Sequence, residues 1–323
     1  MGGFTQTHHL LVGVATMLHF LVDGLCLCCA YLLTTPFTLP HLAGVFITYN
    51  TIAFLTQPLT GYMADKFNNR HWMLIAAATC LSIAVLLTPL FIPVTNEVSA
   101  FAIAVLLGIG NSLFHVWGGK QVVIQVGNDI RALGMFVSTG VFGLSVAIVF
   151  WSWVLLYVFI IAICVLTTAY ILIDARQSYT TTTVSRHSRH IRQHVKVSPF
   201  LVVAAVITFV MLRSYISTGL TSTATGPLVI LATGLTAMLG KMAGGWIALR
   251  CGLLLTLGVM TTTALVCILS GNMALAVILV GLFTINCTMP ITLFLANDAL
   301  RGREGFAFGL LAAALMPGYL IKS

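Results

Sequence analysis

Four apolar stretches of the chain carry residues that can do chemistry. His19 and Asp23 stand four residues apart in one such run, so a helix places them on one face. An imidazole beside a carboxylate in low-dielectric surroundings can take up and release a proton across the physiological range. A structural hydrogen bond between helices is the other use of such a pair. Asn111 and His115 repeat the spacing further on. They could present a polar patch to a solute, or hydrogen-bond between helices to stabilise packing. Arg213 lies in a third run, and Lys241 in a fourth beside the small residues Gly240, Gly244 and Gly245. A charge at bilayer depth costs at least about 2.5 kcal/mol, so it faces a cavity or a partner. At 1.5 Å per residue, Asp23 lies roughly 20 Å in from Leu10 and Arg213 roughly 22 Å in from Ser198. A charge pair across a cavity is feasible at that shared level. The alternative is that Arg213 snorkels to the outer interface and Asp23 stays protonated. Trp117, Tyr49, Asn50 and Gln57 are further candidates to line such a cavity.

The depth argument presupposes a membrane, and composition supplies it. Of 323 residues, 59% are hydrophobic and 7% charged, with a mean hydropathy of +1.06. A soluble domain is about one quarter charged, and this chain has too few polar groups to cover its surface. That excludes a secreted disulfide scaffold, a nucleic-acid binder and a cytosolic enzyme. Apolar runs of about 20 residues mark membrane helices. They are expected at 10–33, 42–63, 71–92, 99–119, 132–151, 153–173, 198–217, 225–249, 253–270, 273–295 and 305–321. The fold class is therefore an all-α multi-pass membrane protein of about eleven transmembrane helices. The first run lacks a basic leader and a small-residue cleavage site, so it reads as a helix and not a signal peptide. The runs are too long and too evenly apolar for β-barrel strands.

Of the fifteen Lys and Arg, twelve fall in alternate loops: Lys66, Arg70, Lys120, Arg131, Arg176, Arg186, Arg189, Arg192, Lys196, Arg250, Arg301 and Arg303. The loops between them hold none. By the positive-inside rule the basic side and the amino terminus are cytoplasmic. The net charge of +8 is thus an orientation signal with some attraction to anionic lipid. All eight Cys lie in apolar helices or at their ends. Cys26 and Cys29 form a C-x-x-C in mid-membrane with no second pair, which reads as packing, with a metal or redox role as the alternative.

Residues 174–197 break the apolar pattern with a polar, basic loop that contains His187, His190 and His194. Solvated linker charge is the plain reading of those three histidines, and a metal site on one helical face the other. The loop divides an amino-terminal six-helix half, 1–173, from a carboxyl-terminal half of five helices, 198–323. The halves share marks in the same order. Gly61-Tyr-Met-Ala-Asp65-Lys66 at the end of the second helix is echoed by Gly245-Trp-Ile-Ala-Leu249-Arg250. Asn128-Asp129 with Arg131 and Gly134 is echoed by Asn297-Asp298 with Arg301 and Gly305. Parallel repeats of this kind build many secondary transporters, with the substrate site near the midplane.

Gly61, Asp65, Lys66 and Arg70 resemble the loop 2–3 signature of the major facilitator superfamily, G-x-x-x-D-R/K-x-G-x-R/K. Asn68 replaces the second glycine. The second copy keeps Gly245, Arg250 and Gly252 but has Leu249 in place of the acid. Three stretches resemble the fosmidomycin-resistance type of drug exporter: His19-x-x-x-Asp23, Gly110-Asn-Ser-Leu-Phe-His115-Val-Trp-Gly118 and Arg213-Ser214. Val116 stands where that type has proline. The antiporter signature wants a Gly-Pro pair in the fifth helix, whereas Gly134, Gly140 and Gly143 stand there without proline, which weakens a case for antiport. The superfamily has twelve helices and this chain stops after the eleventh, which leaves open a truncated gene model or a true eleven-helix protein.

The resemblance implies a two-half helix bundle, with the first helix of each half lining a central cavity. It implies a cytoplasmic gate in which Asp65 accepts backbone N–H groups of a neighbouring helix start or pairs with an Arg, with Lys66 and Arg70 as partner charges. Leu249 implies a second half without that latch. The function expected is secondary active transport of a small organic solute, proton-coupled, by efflux. The substrate and proton pathway is assigned to His19, Asp23, Asn111, His115 and Arg213. Uptake of a nutrient or metal ion by symport or uniport is the alternative, with His19, Asp23 and His115 as ligands. The expected partners are a small molecule, protons and membrane lipid, with no nucleic acid, no cofactor and no metal site in the leading reading. A monomer in the bacterial inner membrane is expected. H-E-x-x-H, G-x-S-x-G and Walker signatures are missing from the chain, so an intramembrane enzyme is only a remote reading.

Overall fold

A computed structural model describes residues 6–34, 39–67, 71–91, 97–176, 198–222, 225–271 and 274–316. Among the described residues all regular structure is helical. The helices are α1 (Gln6–Thr34), α2 (Leu39–Leu55), α3 (Gln57–Lys66), α4 (Trp72–Phe91), α5 (Glu97–Val126), α6 (Ile130–Phe150) and α7 (Trp153–Ala175). After the linker come α8 (Pro199–Thr221), α9 (Pro227–Cys251), α10 (Leu253–Leu269), α11 (Leu275–Cys287), α12 (Met289–Ala299) and α13 (Glu304–Ala313). Most of residues 174–197, including His187, His190 and His194, lie outside the described residues, as does Arg70.

These thirteen helices make eleven crossings. Two crossings are interrupted, and proline explains both. Pro58 and Pro290 have no N–H to give the carbonyl four residues back. The crossing 39–66 is accordingly divided at Thr56, and the crossing 275–299 at Thr288. Eight stretches, 275–299 among them, are long and apolar enough to cross a membrane. The helices α10 and α13 are shorter and apolar, and α2 with α3 completes the set.

Burial separates the crossings. Outer faces of α7, α8 and α10 carry exposed Val154, Ile161, Val165, Phe200, Leu254 and Leu255, a surface suited to lipid. The crossings α1, α5 and α11–α12 are largely buried. Helix α6 packs against α1 on one side and α9 on the other. Its glycines permit this: a Cβ at Gly143 would strike the Phe20 carbonyl of α1, and one at Gly134 would come within 2.6 Å of the Lys241 carbonyl of α9. Without lipid-phase hydrophobic drive, such close backbone approach is what holds membrane helices together.

The two Asn-Asp echoes meet each other. The Asn297 amide donates to Asn128 Oδ1 at 3.4 Å, and the Asn128 amide donates to the Phe294 carbonyl at 3.0 Å. The cysteines behave as packing residues: Cys26, Cys28 and Cys29 are buried and unbridged, and Cys29 Sγ lies 3.2 Å from Thr88 Oγ1.

Candidate functional site

Helices α1 and α5 cross so that three ionisable side chains converge. His19 Nε2 lies 3.3 Å from Asp23 Oδ2, and His115 Nε2 lies 3.3 Å from Asp23 Oδ1. The Asn111 amide donates to Asp23 Oδ1 at 3.1 Å. The two imidazoles meet edge to face with centroids 4.6 Å apart.

The tautomers follow from hydrogen-bond accounting. His19 Nδ1 is 2.6 Å from the Phe136 carbonyl, and His115 Nδ1 is 2.9 Å from the Asn111 carbonyl. A carbonyl only accepts, so both Nδ1 atoms carry hydrogen. Both Nε2 atoms are then the exchangeable positions, and both are turned on one carboxylate. All three side chains are largely buried, at 6%, 13% and 10% exposed for His19, Asp23 and His115. The α6 backbone closes one side of this triad. A Cβ at Gly140 would overlap both Asp23 Oδ2 and His19 Nε2.

The triad opens on a cavity of about 520 Å³ whose wall also includes Asn111, Arg213 and Lys241. Tyr49 and Asn50 line it as the sequence suggested. Trp117 instead packs on Tyr170 with centroids 4.8 Å apart, and Gln57 is buried with its amide bonded to the Ala53 carbonyl at 2.9 Å. Arg213 shares the cavity with Asp23, as their common depth implied. His19, expected beside Asp23 from its spacing, and His115 both pair with the carboxylate. Lys241, beside its small-residue seam, is a wall residue too.

The rest of the wall comes from α2, α6, α8, α12 and the α13 segment, with Ala43 and Phe46 early in α2, Leu144 and Ile148 late in α6, Val210, Thr292, and Leu315 just past α13. Of these, Ala43, Phe46, Leu144, Ile148 and Leu315 lie toward the face opposite the basic loops. The basic-loop face is closed by two interfaces. At the first, Asp65 at the end of α3 accepts the backbone N–H of Gly305 at 3.0 Å and of Phe306 at 2.8 Å. A carboxylate at a helix start meets orphan donors and the positive end of the helix dipole. Its partner cation is not Lys66, which is exposed and lies over Phe67. Lys120 of α5 takes that place, 3.4 Å from Asp65 Oδ1 and donating to the Ala64 carbonyl at 2.5 Å. The signature alone could not show this, because Lys120 is 55 positions away in sequence.

At the second interface Gly245 of α9 lies against Ile130 and Arg131 at the start of α6. Leu249 brings no acid, yet the α6 start is capped. Asp129 accepts the Arg131 N–H at 2.9 Å and pairs with its guanidinium at 2.6 Å. Burial works against the Asp129 carboxylate, but the Arg131 hydrogen bonds and charge outweigh it and hold its pKa below the usual range. Arg131 in turn lies 5.1 Å from the Trp246 ring of α9. Arg250 is exposed at the end of α9.

A further cluster escaped the sequence reading. Near the basic-loop ends, buried Asp174 of α7 pairs with His71 at 3.1 Å and accepts from Gln125 at 3.2 Å, and Gln125 meets His8 at 2.6 Å. It ties α1, α5 and α7 to the start of α4. Only long-range contact joins these residues, so no local spacing announces them.

Comparison with known proteins agrees with this architecture. A bacterial homologue of the iron transporter ferroportin, in an outward-facing state, matches 96% of this chain and 90% of its own length at 16% identity, with a TM-score of 0.62. The major facilitator transporter FucP, in its outward conformation, matches 98% of this chain and 91% of its own at 11% identity, with a TM-score of 0.69. No curated protein sequence matches the chain. The family model described as Major Facilitator Superfamily matches residues 14–321. Eleven apolar crossings among the described residues, Asp65 on a helix start and a cavity between helices fit a transporter and not an enzyme, and the chain belongs to the major facilitator superfamily.

Proposed function

We propose that this transporter is proton-coupled and moves a small organic solute outward across the bacterial inner membrane by alternating access. The observation that carries the reading is the triad. Two imidazoles, each fixed by a backbone carbonyl at Nδ1, share one carboxylate through Nε2. Any proton that enters or leaves this site changes the charge of the cavity wall. A solute that contacts the wall then has an affinity coupled to proton occupancy.

Arg213 and Lys241 on the same wall favour a solute with an anionic group. The apolar remainder of the lining suits its carbon skeleton. The closed basic-loop face and a cavity walled toward the other face support an outward-facing conformation. Outward direction rests on the likeness of three motifs to the fosmidomycin-resistance exporters. The basic loops support a cytoplasmic amino terminus, and the two marks shared before and after the linker support a six-helix and a five-helix half.

The test is solute movement in proteoliposomes under an imposed pH gradient without ATP, across a panel of small organic anions. Asp23→Asn keeps size and hydrogen bonding but removes titration. It should abolish gradient-driven accumulation of a metal-free organic anion while binding of that anion survives. Accumulation by Asp23→Asn at the wild-type level would show the carboxylate to be structural. Running the assay in both membrane orientations separates efflux from uptake.

A further inference from the structure

We infer that His19, Asp23 and His115 form a binding site for one divalent transition-metal ion, carried as cargo. The inference rests on the reading of this cavity as the transport site. It starts from what the two histidines are made to present. Each Nδ1 is held on a backbone carbonyl, at 2.6 Å for His19 and 2.9 Å for His115. This is the outer-shell arrangement that fixes the tautomer of a metal-ligating histidine and leaves Nε2 as the donor. Asn111 in the same way steadies the third donor, Asp23.

The donor spacing fits. Around a zinc-sized ion with bonds of about 2.0–2.2 Å, neighbouring tetrahedral donors sit about 3.4 Å apart. Here each Nε2 lies 3.3 Å from a carboxylate oxygen. All three donor atoms fall within 4.8 Å of one another, so a modest contraction encloses an ion. Two nitrogens and one oxygen select the borderline ions of the iron-to-zinc series. Calcium and magnesium prefer oxygen alone.

Space is provided as well. Gly140 brings bare backbone beside the triad, and a Cβ there would overlap His19 Nε2 and Asp23 Oδ2. Three protein donors leave a fourth position for water or for an oxygen of a second cargo component. Arg213 and Lys241 on the cavity wall suit the anionic part of such a component. The cargo class is therefore a divalent transition metal, free or held by a small carboxylate chelator.

Binding is tested on tag-free, metal-stripped protein in detergent. Cobalt(II) is titrated with its visible absorption as readout, and zinc by calorimetry. The expectation is one saturable site per chain with the intense absorption of low-coordinate cobalt. Asp23→Asn and His115→Gln should weaken binding at least about tenfold. Gly140→Ala should weaken it with every donor retained. Absence of saturable binding, or unchanged binding in the folded His115→Gln and Gly140→Ala proteins, overturns the site. Cargo is then tested in vesicles containing a zinc-sensitive dye, with zinc alone in one arm and zinc with citrate in the other. Flux in either arm supports the assignment and identifies the form carried. Binding with no flux in either arm overturns the cargo assignment. Proton-driven movement of metal-free organic anions is measured separately, so its failure counts against proton coupling and not against the metal site.

Discussion

At the end of α3, Gly61 lies against Gly305 and Phe306, and at the end of α9, Gly245 lies against Ile130 and Arg131. The backbone approach is nearly the same: a Cβ at either glycine would come within 2.6 Å of a backbone carbonyl group and 2.9 Å of the next Cα. The seals differ. The first spans the interface by charge-assisted hydrogen bonds from the Gly305 and Phe306 N–H groups to Asp65. In the second, the helix start is capped from its own chain by Asp129, and the span is made by Arg131 on Trp246. The second interface thus shares the steric half of the first and differs in its polar half. Leu249 supplies no acid and Asp129 caps the α6 start instead, so the asymmetry between the two interfaces is one of chemistry.

The steric half should be the more sensitive. Gly61→Val and Gly245→Val each force a branched side chain into backbone, where overpacking costs about 1–3 kcal/mol or more. Both should open the basic-loop face, read as faster labelling of a cysteine placed at buried Ala64 or Ala248. If only one variant opens it, the equivalence of the two glycines is broken.

The polar half comes next. Asp65→Asn keeps one acceptor oxygen and turns an amide against the second N–H. Leaving a buried donor unsatisfied costs about 1–3 kcal/mol, or about 5- to 150-fold in the closed-to-open ratio. Transport should slow with expression little changed. The converse substitution, Leu249→Asp, should bring no matching gain, because Asp129 already occupies the α6 start. A gain equal to the Asp65→Asn loss would mean that the second latch is merely vacant. Wild-type rates in a well-folded Asp65→Asn protein would remove the latch from the mechanism.

How much of this was legible follows the range of each signal. The crossings were, because twenty apolar residues declare themselves locally. Only the breaks at Thr56 and Thr288, set by Pro58 and Pro290, divide what the hydropathy joined. The pairing of His19 with Asp23 was readable from its i, i+4 spacing. Its completion by His115 was not, since a crossing between α1 and α5 sets it. Depth alone put Asp23 and Arg213 at one level, and depth carries no azimuth. For the same reason Trp117 and Gln57 turned into packing while Lys241 turned to the cavity. Asp65 was legible through its signature, and its contact with a helix start was expected from electrostatics. Its partner charges were expected in Lys66 and Arg70; Lys66 is exposed, Arg70 lies outside the described residues, and Lys120 arrives on another helix. The cluster of His8, His71, Gln125 and Asp174 had no sequence signal, as each member comes from a different segment.

The smallest effect belongs to the contact that distinguishes the second seal. Trp246 is half exposed and Arg131 stands over its ring. A cation–π contact at such a site is worth about 0.5–1 kcal/mol. Trp246→Ala should therefore shift the closed-to-open ratio by a few-fold, well below Asp65→Asn. The pH dependence sharpens the assignment. Arg131 is oriented by Asp129, whose pKa is held below the ordinary carboxylate range. A depressed carboxylate pKa contributes stability above the unfolded value, and that stability is lost as pH falls through the folded value. The Asp129–Arg131 clamp should consequently stay intact through mild acidification. The Trp246→Ala effect should be the same at pH 7 as at about pH 5, one unit above the ordinary carboxylate pKa. The measurement is labelling of the cysteine at position 248 in wild-type and Trp246→Ala backgrounds at both pH values. A Trp246→Ala effect that vanishes on mild acidification would place the seal on a titrating group other than Asp129. An effect as large as that of Asp65→Asn would mean that the aromatic contact, and not the carboxylate on the α13 start, is the stronger of the two closures.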